Sequence, residues 1–104
     1  MFTYKDKQYE LKFTIGRLKL IERAADGKSA MSQLAASENG MMSLASCERF
    51  FSFGLKEAGS DAFCTPQKGA EVCDDLIQDE GYSHVIRLIQ ETLYHDCPFL
   101  FRAA

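Results

Sequence analysis

Phe2-Thr3-Tyr4-Lys5-Asp6-Lys7-Gln8-Tyr9-Glu10-Leu11-Lys12-Phe13 decides how this chain begins to fold. Phe2, Tyr4, Tyr9, Leu11 and Phe13 alternate with Thr3, Lys5, Gln8, Glu10 and Lys12 on either side of a charged pair. Apolar residues at every second position mark strands buried on one face. The spacing predicts a β-hairpin over 1–13 with Asp6-Lys7 as a two-residue turn. In that register Tyr4 faces Tyr9 and Phe2 faces Leu11, so one face is continuously apolar. A lone two-stranded hairpin is marginal in water, so that face must lie on something.

Helices supply the support. Thr14 can cap a helix carrying Ile15, Leu18, Ile21 and Ala25 at helical spacing, stopped by Gly27. Ser29 to Ser37 predicts a short second helix with Met31, Leu34 and Ala35 inward and Gly40 as its stop. Residues 42–57 predict a third, apolar on most sides, with Leu44, Phe50, Phe51 and Phe53 spread around its cylinder; Gly54 can end or kink it. Thr65-Pro66 is a helix start, with threonine as N-cap and proline at the first turn. Val72, Cys73, Leu76 and Ile77 form its stripe, and Gly81 closes it. Ser83 can cap a last helix with Val85, Ile86, Ile89 and Leu93 inward, and Pro98 stops it. The expected fold is mainly α: an N-terminal β-hairpin, a bundle of four or five helices over 14–98, and an apolar C-terminal tail over 99–104. A chain of 104 residues allows one domain.

Charge and cysteine usage narrow the function classes. Twelve Lys and Arg against fifteen Asp and Glu leave a net charge of -3, with no basic stripe. Nucleic-acid binding draws on phosphate contacts that such a chain is poorly equipped to make. No apolar run approaches the ~20 residues of a membrane span, and the first residues lack a signal-peptide apolar region. A cytosolic protein with no membrane partner is expected. The four cysteines, Cys47, Cys64, Cys73 and Cys97, form no C-x-x-C pair and read as free thiols in a reducing compartment. His84 and His95 lie about three helical turns apart, too far to share a metal. Glu71, Asp74, Asp75, Asp79 and Glu80 fall on the polar side of one helix, where solvent keeps carboxylates ordinary. No nucleotide-binding, metalloprotease or nucleophile-elbow motif is present. The expectation is a protein that binds, with no enzyme activity, no metal and no cofactor.

Two segments stand out as binding candidates. Phe50-Phe51-Ser52-Phe53 reads first as core, but three aromatics over four positions span too wide an angle for one stripe. At least one must leave the core axis, toward the hairpin or a partner. Phe99-Leu100-Phe101 comes after a helix stop and either folds back over the core or docks on a partner.

The opening residues Phe2 to Phe13 resemble the start of the small tail assembly chaperones of long-tailed phages. Those begin with a hairpin of the kind G-K-x-Y-x-L-x-F that leads into a leucine-rich helix. Thr14 to Ala25 fits that helix. A central apolar helix ending near Phe53-Gly54-Leu55-Lys56, a Thr65-Pro66 capped helix and a glycine-led final helix come next, in that order. Asp6-Lys7 stands where the family's turn carries glycine.

The resemblance implies a non-enzymatic protein of the infected host cytoplasm. It would bind the tape measure protein and keep it soluble while tail tube protein polymerises around it. Tail tube protein is a second expected partner, self-association a further expectation, and absence from the mature virion another. A holdase for an amphipathic helix needs an apolar groove with a polar rim. The hairpin's aromatic face with Tyr4 and Tyr9, the cluster of Phe50, Phe51 and Phe53, and the tail with Phe99, Leu100 and Phe101 are the residues of this chain that can supply it. Two other small phage proteins share the general profile: a head–tail connector or other minor virion structural protein, and a regulatory DNA- or protein-binding protein.

Overall fold

The computed structural model describes residues 1–102, so the last two positions of the expected tail lie outside the described residues. In chain order it has β1 (Phe2–Tyr4), β2 (Lys7–Leu11), α1 (Ile15–Ala24), α2 (Ala30–Glu38), α3 (Leu44–Gly54), β3 (Leu55–Glu57), α4 (Pro66–Glu80), α5 (Tyr82–Asp96) and a 3₁₀ turn at Pro98–Leu100. The protein is mainly α, with five helices behind an N-terminal β-hairpin.

The hairpin turns at Lys5-Asp6, one residue earlier than the charged pattern suggests. Both residues take positive φ, 46° and 66°, and a turn with both central residues in that region matches the twist of the flanking strands. Phe2 therefore pairs with Tyr9 and Tyr4 with Lys7; the expected Tyr4–Tyr9 and Phe2–Leu11 pairings do not form. The slip moves each partner by two positions, and side chains alternate with period two, so the apolar face survives intact. Tyr4, Tyr9 and Leu11 are buried on it, and the Phe2 and Tyr9 rings stack with centroids 6.2 Å apart.

The expected helix over 42–57 is shorter and ends in a strand. It starts after the Ser43 cap and stops at Gly54, and Leu55–Glu57 leaves it as β3. This strand pairs antiparallel with β2, Tyr9 to Glu57 and Leu11 to Leu55, giving a three-stranded sheet in the order β1-β2-β3. Gly54 permits the junction: a Cβ there would lie 2.3 Å from the Phe13 ring. Its carbonyl accepts from the Lys12 N–H at 2.8 Å, which ties α3 to the end of β2.

The core closes on α3. Phe50 and Phe51 are both fully buried. Phe50 meets the Phe13 ring edge-on at 5.6 Å, while Phe51 turns to Phe2 at 6.2 Å. Two adjacent aromatics thus serve two directions, and the second is the hairpin. α4 lies directly on α3 at Gly69, where a Cβ would come within 2.2 Å of the Phe51 carbonyl oxygen. Thr14, Ser29, Ser43 and Thr65 each accept a backbone N–H three residues on, a cap stabilising each helix by about 1 kcal/mol. α5 differs from expectation: Ser83 is not its cap, and the helix restarts straight from Gly81 at φ 97°.

Two inward faces also differ. On α1, Leu18 and Ile21 are buried but Ile15 is 56% exposed. On α2, Ala30, Gln33, Leu34 and Ser37 point inward, whereas Met31 and Ala35 point out. Gln33 is accommodated because each of its polar atoms has a partner. Its Nε2 donates to the Lys28 carbonyl at 3.1 Å, and its Oε1 accepts from the Ser46 hydroxyl at 2.6 Å. Ser37 donates to the Leu34 carbonyl at 2.6 Å and accepts from Gln90 at 3.0 Å. At the far end of α5, Asp96 Oδ2 accepts the Phe13 N–H at 3.0 Å, and the buried Cys97 thiol reaches the Phe13 carbonyl at 3.6 Å.

Candidate functional site

The eight residues assigned to a partner surface divide cleanly. Tyr4, Tyr9, Phe50 and Phe51 are core residues and offer a partner no contact area. Their part in the expected binding surface is corrected: the hairpin face is covered by α3 and α4. The Tyr4 hydroxyl donates to Asp75 Oδ2 at 2.5 Å. That bond to a carboxylate, reinforced by burial, holds the phenol protonated well above the usual tyrosine range. Asp75 is therefore part of the packing, unlike its solvated neighbour Asp74. Phe53 is half-buried against the core.

The tail residues behave otherwise. The 3₁₀ turn folds Leu100 back to half-burial, but Phe99 and Phe101 each stay 41% exposed. The Phe101 ring packs on Tyr94 with centroids 4.9 Å apart, and the Tyr94 hydroxyl donates to Glu38 at 3.2 Å. The tail thus rests on the helices and still presents aromatic surface.

Phe99 and Leu100 form one wall of a groove of about 180 Å³. Ile15 and Leu18 of α1 and Ala30 and Met31 of α2 form the others, and Lys19 and Glu22 border it. The local sequence explains each position. The Thr14 cap starts α1 with Ile15 in its first turn, where it stays more than half exposed. The Glu22 carboxylate accepts the Ala30 N–H at 2.7 Å, which pins the start of α2 beside α1. Met31 comes next after Ala30 and is left 41% exposed on the outward side. Glu22 is occupied by this contact, while Lys19 makes no ion pair among the described residues. Ile15 and Met31 are the groove residues that helical periodicity alone assigns to the core. The signal in the sequence is that α2 carries apolar residues on two opposing sides, so one side must face solvent.

Two other depressions are of different character. A cleft of about 330 Å³ is lined by Met1, Lys12, Glu91, Thr92, His95 and Asp96. Its Asp96 side chain is only 5% exposed and is already engaged by the Phe13 N–H, by Lys12 at 3.6 Å and by His95 Nδ1 at 2.8 Å. A third, of about 340 Å³, is lined by Leu44, Asp74, Ile77 and Gln78. Of these three depressions among the described residues, the groove between α1 and α2 has the most apolar walls.

The thiols are held in their neutral form. Burial pushes Cys47 up to about 11 and moves Cys64, Cys73 and Cys97 the same way. A protonated thiol is a poor nucleophile and a poor metal ligand. Among the described residues, no group of three or more His, Cys, Asp or Glu is placed to hold a metal ion. Among them, too, no helix is long and apolar enough to cross a membrane. No protein-family profile, characterised protein or solved structure matches the chain.

Proposed function

We propose that this protein is a non-enzymatic tail assembly chaperone of a long-tailed phage. It binds an amphipathic helical segment of the tape measure protein and keeps that protein soluble in the host cytoplasm while tail tube protein polymerises. The resemblance of Phe2 to Phe13 suggests the family, and one structural observation carries the binding role. Ile15, Met31 and Phe99 stand exposed around a carbon-walled groove with charged residues at its edge. An apolar channel of this kind receives the apolar face of a helix. Exposed apolar clusters on a small protein mark contact sites more often than accidents of composition.

Co-expression with a tape measure segment tests the proposal. The segment stays in the supernatant with this protein and precipitates without it. Equal precipitation in both cases ends the chaperone reading. Mass spectrometry of purified particles supplies the second arm: a chaperone is missing, whereas a head–tail connector would appear at ring copy number.

A further inference from the structure

We infer that Cys47 of α3 and Cys73 of α4 form a matched thiol pair that a peroxide oxidises to a disulfide, clamping the two helices together. The register of the helix interface carries this, independently of the chaperone role.

α3 and α4 run antiparallel in close contact. Near the end of α3, a Cβ on Gly69 would come within 2.2 Å of the Phe51 carbonyl oxygen and 2.6 Å of the Ser52 Cα. Near its start, Leu44 shares a depression with Asp74, Ile77 and Gln78 of α4. Tyr82, just past α4, donates its hydroxyl to the Met42 carbonyl, just before α3, at 2.6 Å. One turn back from Phe51 is Cys47, and one turn on from Gly69 is Cys73; residues four apart share a helix face. The two thiols therefore meet midway along the interface, and both are fully buried there.

The spacing suits a covalent bond. Helices packed with axes about 8–10 Å apart bring directly opposed Cα atoms to about 3.5–5.5 Å, and offset pairs somewhat further. A disulfide spans Cα atoms about 4.4–6.8 Å apart. The glycine contact sets these two helices at the near end of the packing range. Burial is the main reason that the Cys73 thiol is pushed up, and the charge of a neighbouring Cys47 thiolate is the next. Cys64 and Cys97 have other company: Glu57 and Lys68 lie near the first, and the Phe13 carbonyl accepts from the second.

Cys47 is the less strongly raised of the two and supplies the attacking thiolate. Its sulfur takes one oxygen of hydrogen peroxide, the O–O bond breaks, and the departing hydroxide leaves as water with the thiol's proton. The Cys73 sulfur then attacks the sulfur of the Cys47 sulfenic acid. The S–S bond forms, the S–O bond breaks, and a second water carries off the hydroxyl with the Cys73 proton. Two thiols lose two electrons and one peroxide gains them. The resting form is the dithiol, because full burial holds both sulfurs protonated. The closed loop contains the end of α3, all of β3 and the start of α4. Asp75, just beyond it, accepts from the Tyr4 hydroxyl, so oxidation locks the cover on the hairpin.

Each cysteine falls in a different tryptic peptide: 29–49, 57–68, 69–87 and 88–102. The native 104-residue chain is treated with hydrogen peroxide, its remaining thiols are alkylated, and it is digested without reductant for mass spectrometry. One cross-link joins peptides 29–49 and 69–87. It exceeds any other pairing by about tenfold or more, since thiols already placed together react at high effective molarity. Oxidation in urea loses that preference. The oxidised protein melts about 5–15 °C higher, and dithiothreitol reverses the gain. Cys73→Ala abolishes the cross-link and the gain, while Cys64→Ala keeps both. A native product through Cys64 or Cys97, a link between molecules, or the same preference in urea overturns the inference. So does a native protein that stays unlinked under peroxide while the urea-unfolded chain cross-links, and so does a lower melting point on oxidation. The wild-type peptide map decides even if Cys73→Ala fails to fold.

Discussion

Around Phe50 and Phe51 the interior is closed by aromatic rings from Phe2, Tyr9 and Phe13, whereas beneath α2 it is closed by hydrogen bonds among Gln33, Ser37, Ser46 and Gln90. The first region hides nearly all of its large apolar side chains. The second buries an amide and two hydroxyls and leaves Met31, Ile15 and Phe99 partly in solvent. Apolar burial stabilises by about 25 cal/mol per Å², while a satisfied internal hydrogen bond nets only about 1 kcal/mol against water. The sheet side therefore carries the stability. The α2 side holds apolar surface back from the interior, where a partner can reach it.

Four expected outcomes probe this contrast. Phe50→Ala removes a fully buried ring from the sheet side and lowers unfolding free energy by about 3–5 kcal/mol. Urea denaturation measures it, and a loss below about 1 kcal/mol would mean that the rings are not the main support. Alkaline pH gives the next effect. Cys47 titrates near 9 when unfolded and is raised to about 11 in the fold. The stability from its neutral thiol is complete below pH 9 and is lost as pH rises toward 11. At about 1.4 kcal/mol per unit, the loss is on the order of 2–3 kcal/mol. Urea midpoints at pH 8 to 11 track it, and Cys47→Ala shrinks the slope.

Gln33→Ala tests the polar side. It removes the acceptor of the Ser46 hydroxyl, which keeps only the Arg49 guanidinium as a partner, and opens a small void, for a loss of about 1–3 kcal/mol, smaller than that of Phe50→Ala. A larger loss would reverse the ranking of the two regions. Met31→Ser is the mildest. It changes thermal stability by no more than about 0.5 kcal/mol, as surface substitutions do, yet it weakens groove binding. A Met31→Ser protein that unfolds readily would place this residue in the core after all.

Much of the sheet side is legible in the sequence because alternation survives small errors of register. The charge pattern misplaces the turn by one residue because neither Lys5 nor Asp6 is glycine, yet period two keeps Tyr4, Tyr9 and Leu11 on the same face. β3 is not legible. Leu55-Lys56-Glu57 carries no alternation of its own and becomes a strand only because the edge of β2 is there to pair with it. The candidate site is the least legible part. Helical periodicity ranks residues by hydrophobicity and so assigns Met31 inward and Gln33 outward. The structure inverts them because Gln33 finds hydrogen-bond partners on α3 and in the α1–α2 connection. The aromatic residues expected at a binding surface include the strongest core formers in the chain, and the packing keeps four of them. The tail pair Phe99 and Phe101 keeps aromatic surface exposed because the helices cover only part of each ring.

The two contacts between Phe13 and the end of α5 span 83 and 84 residues of sequence. During synthesis at about 5–20 residues per second, Phe13 is made roughly 4–17 s before the carboxylate that receives its N–H. α3 and α4, which cover the hairpin face, are complete by residue 80, so that face closes before the Phe13 N–H meets its acceptor. The last turn of α5 is thus a late latch: it fastens the joint between the hairpin and α1 after the sheet has been covered.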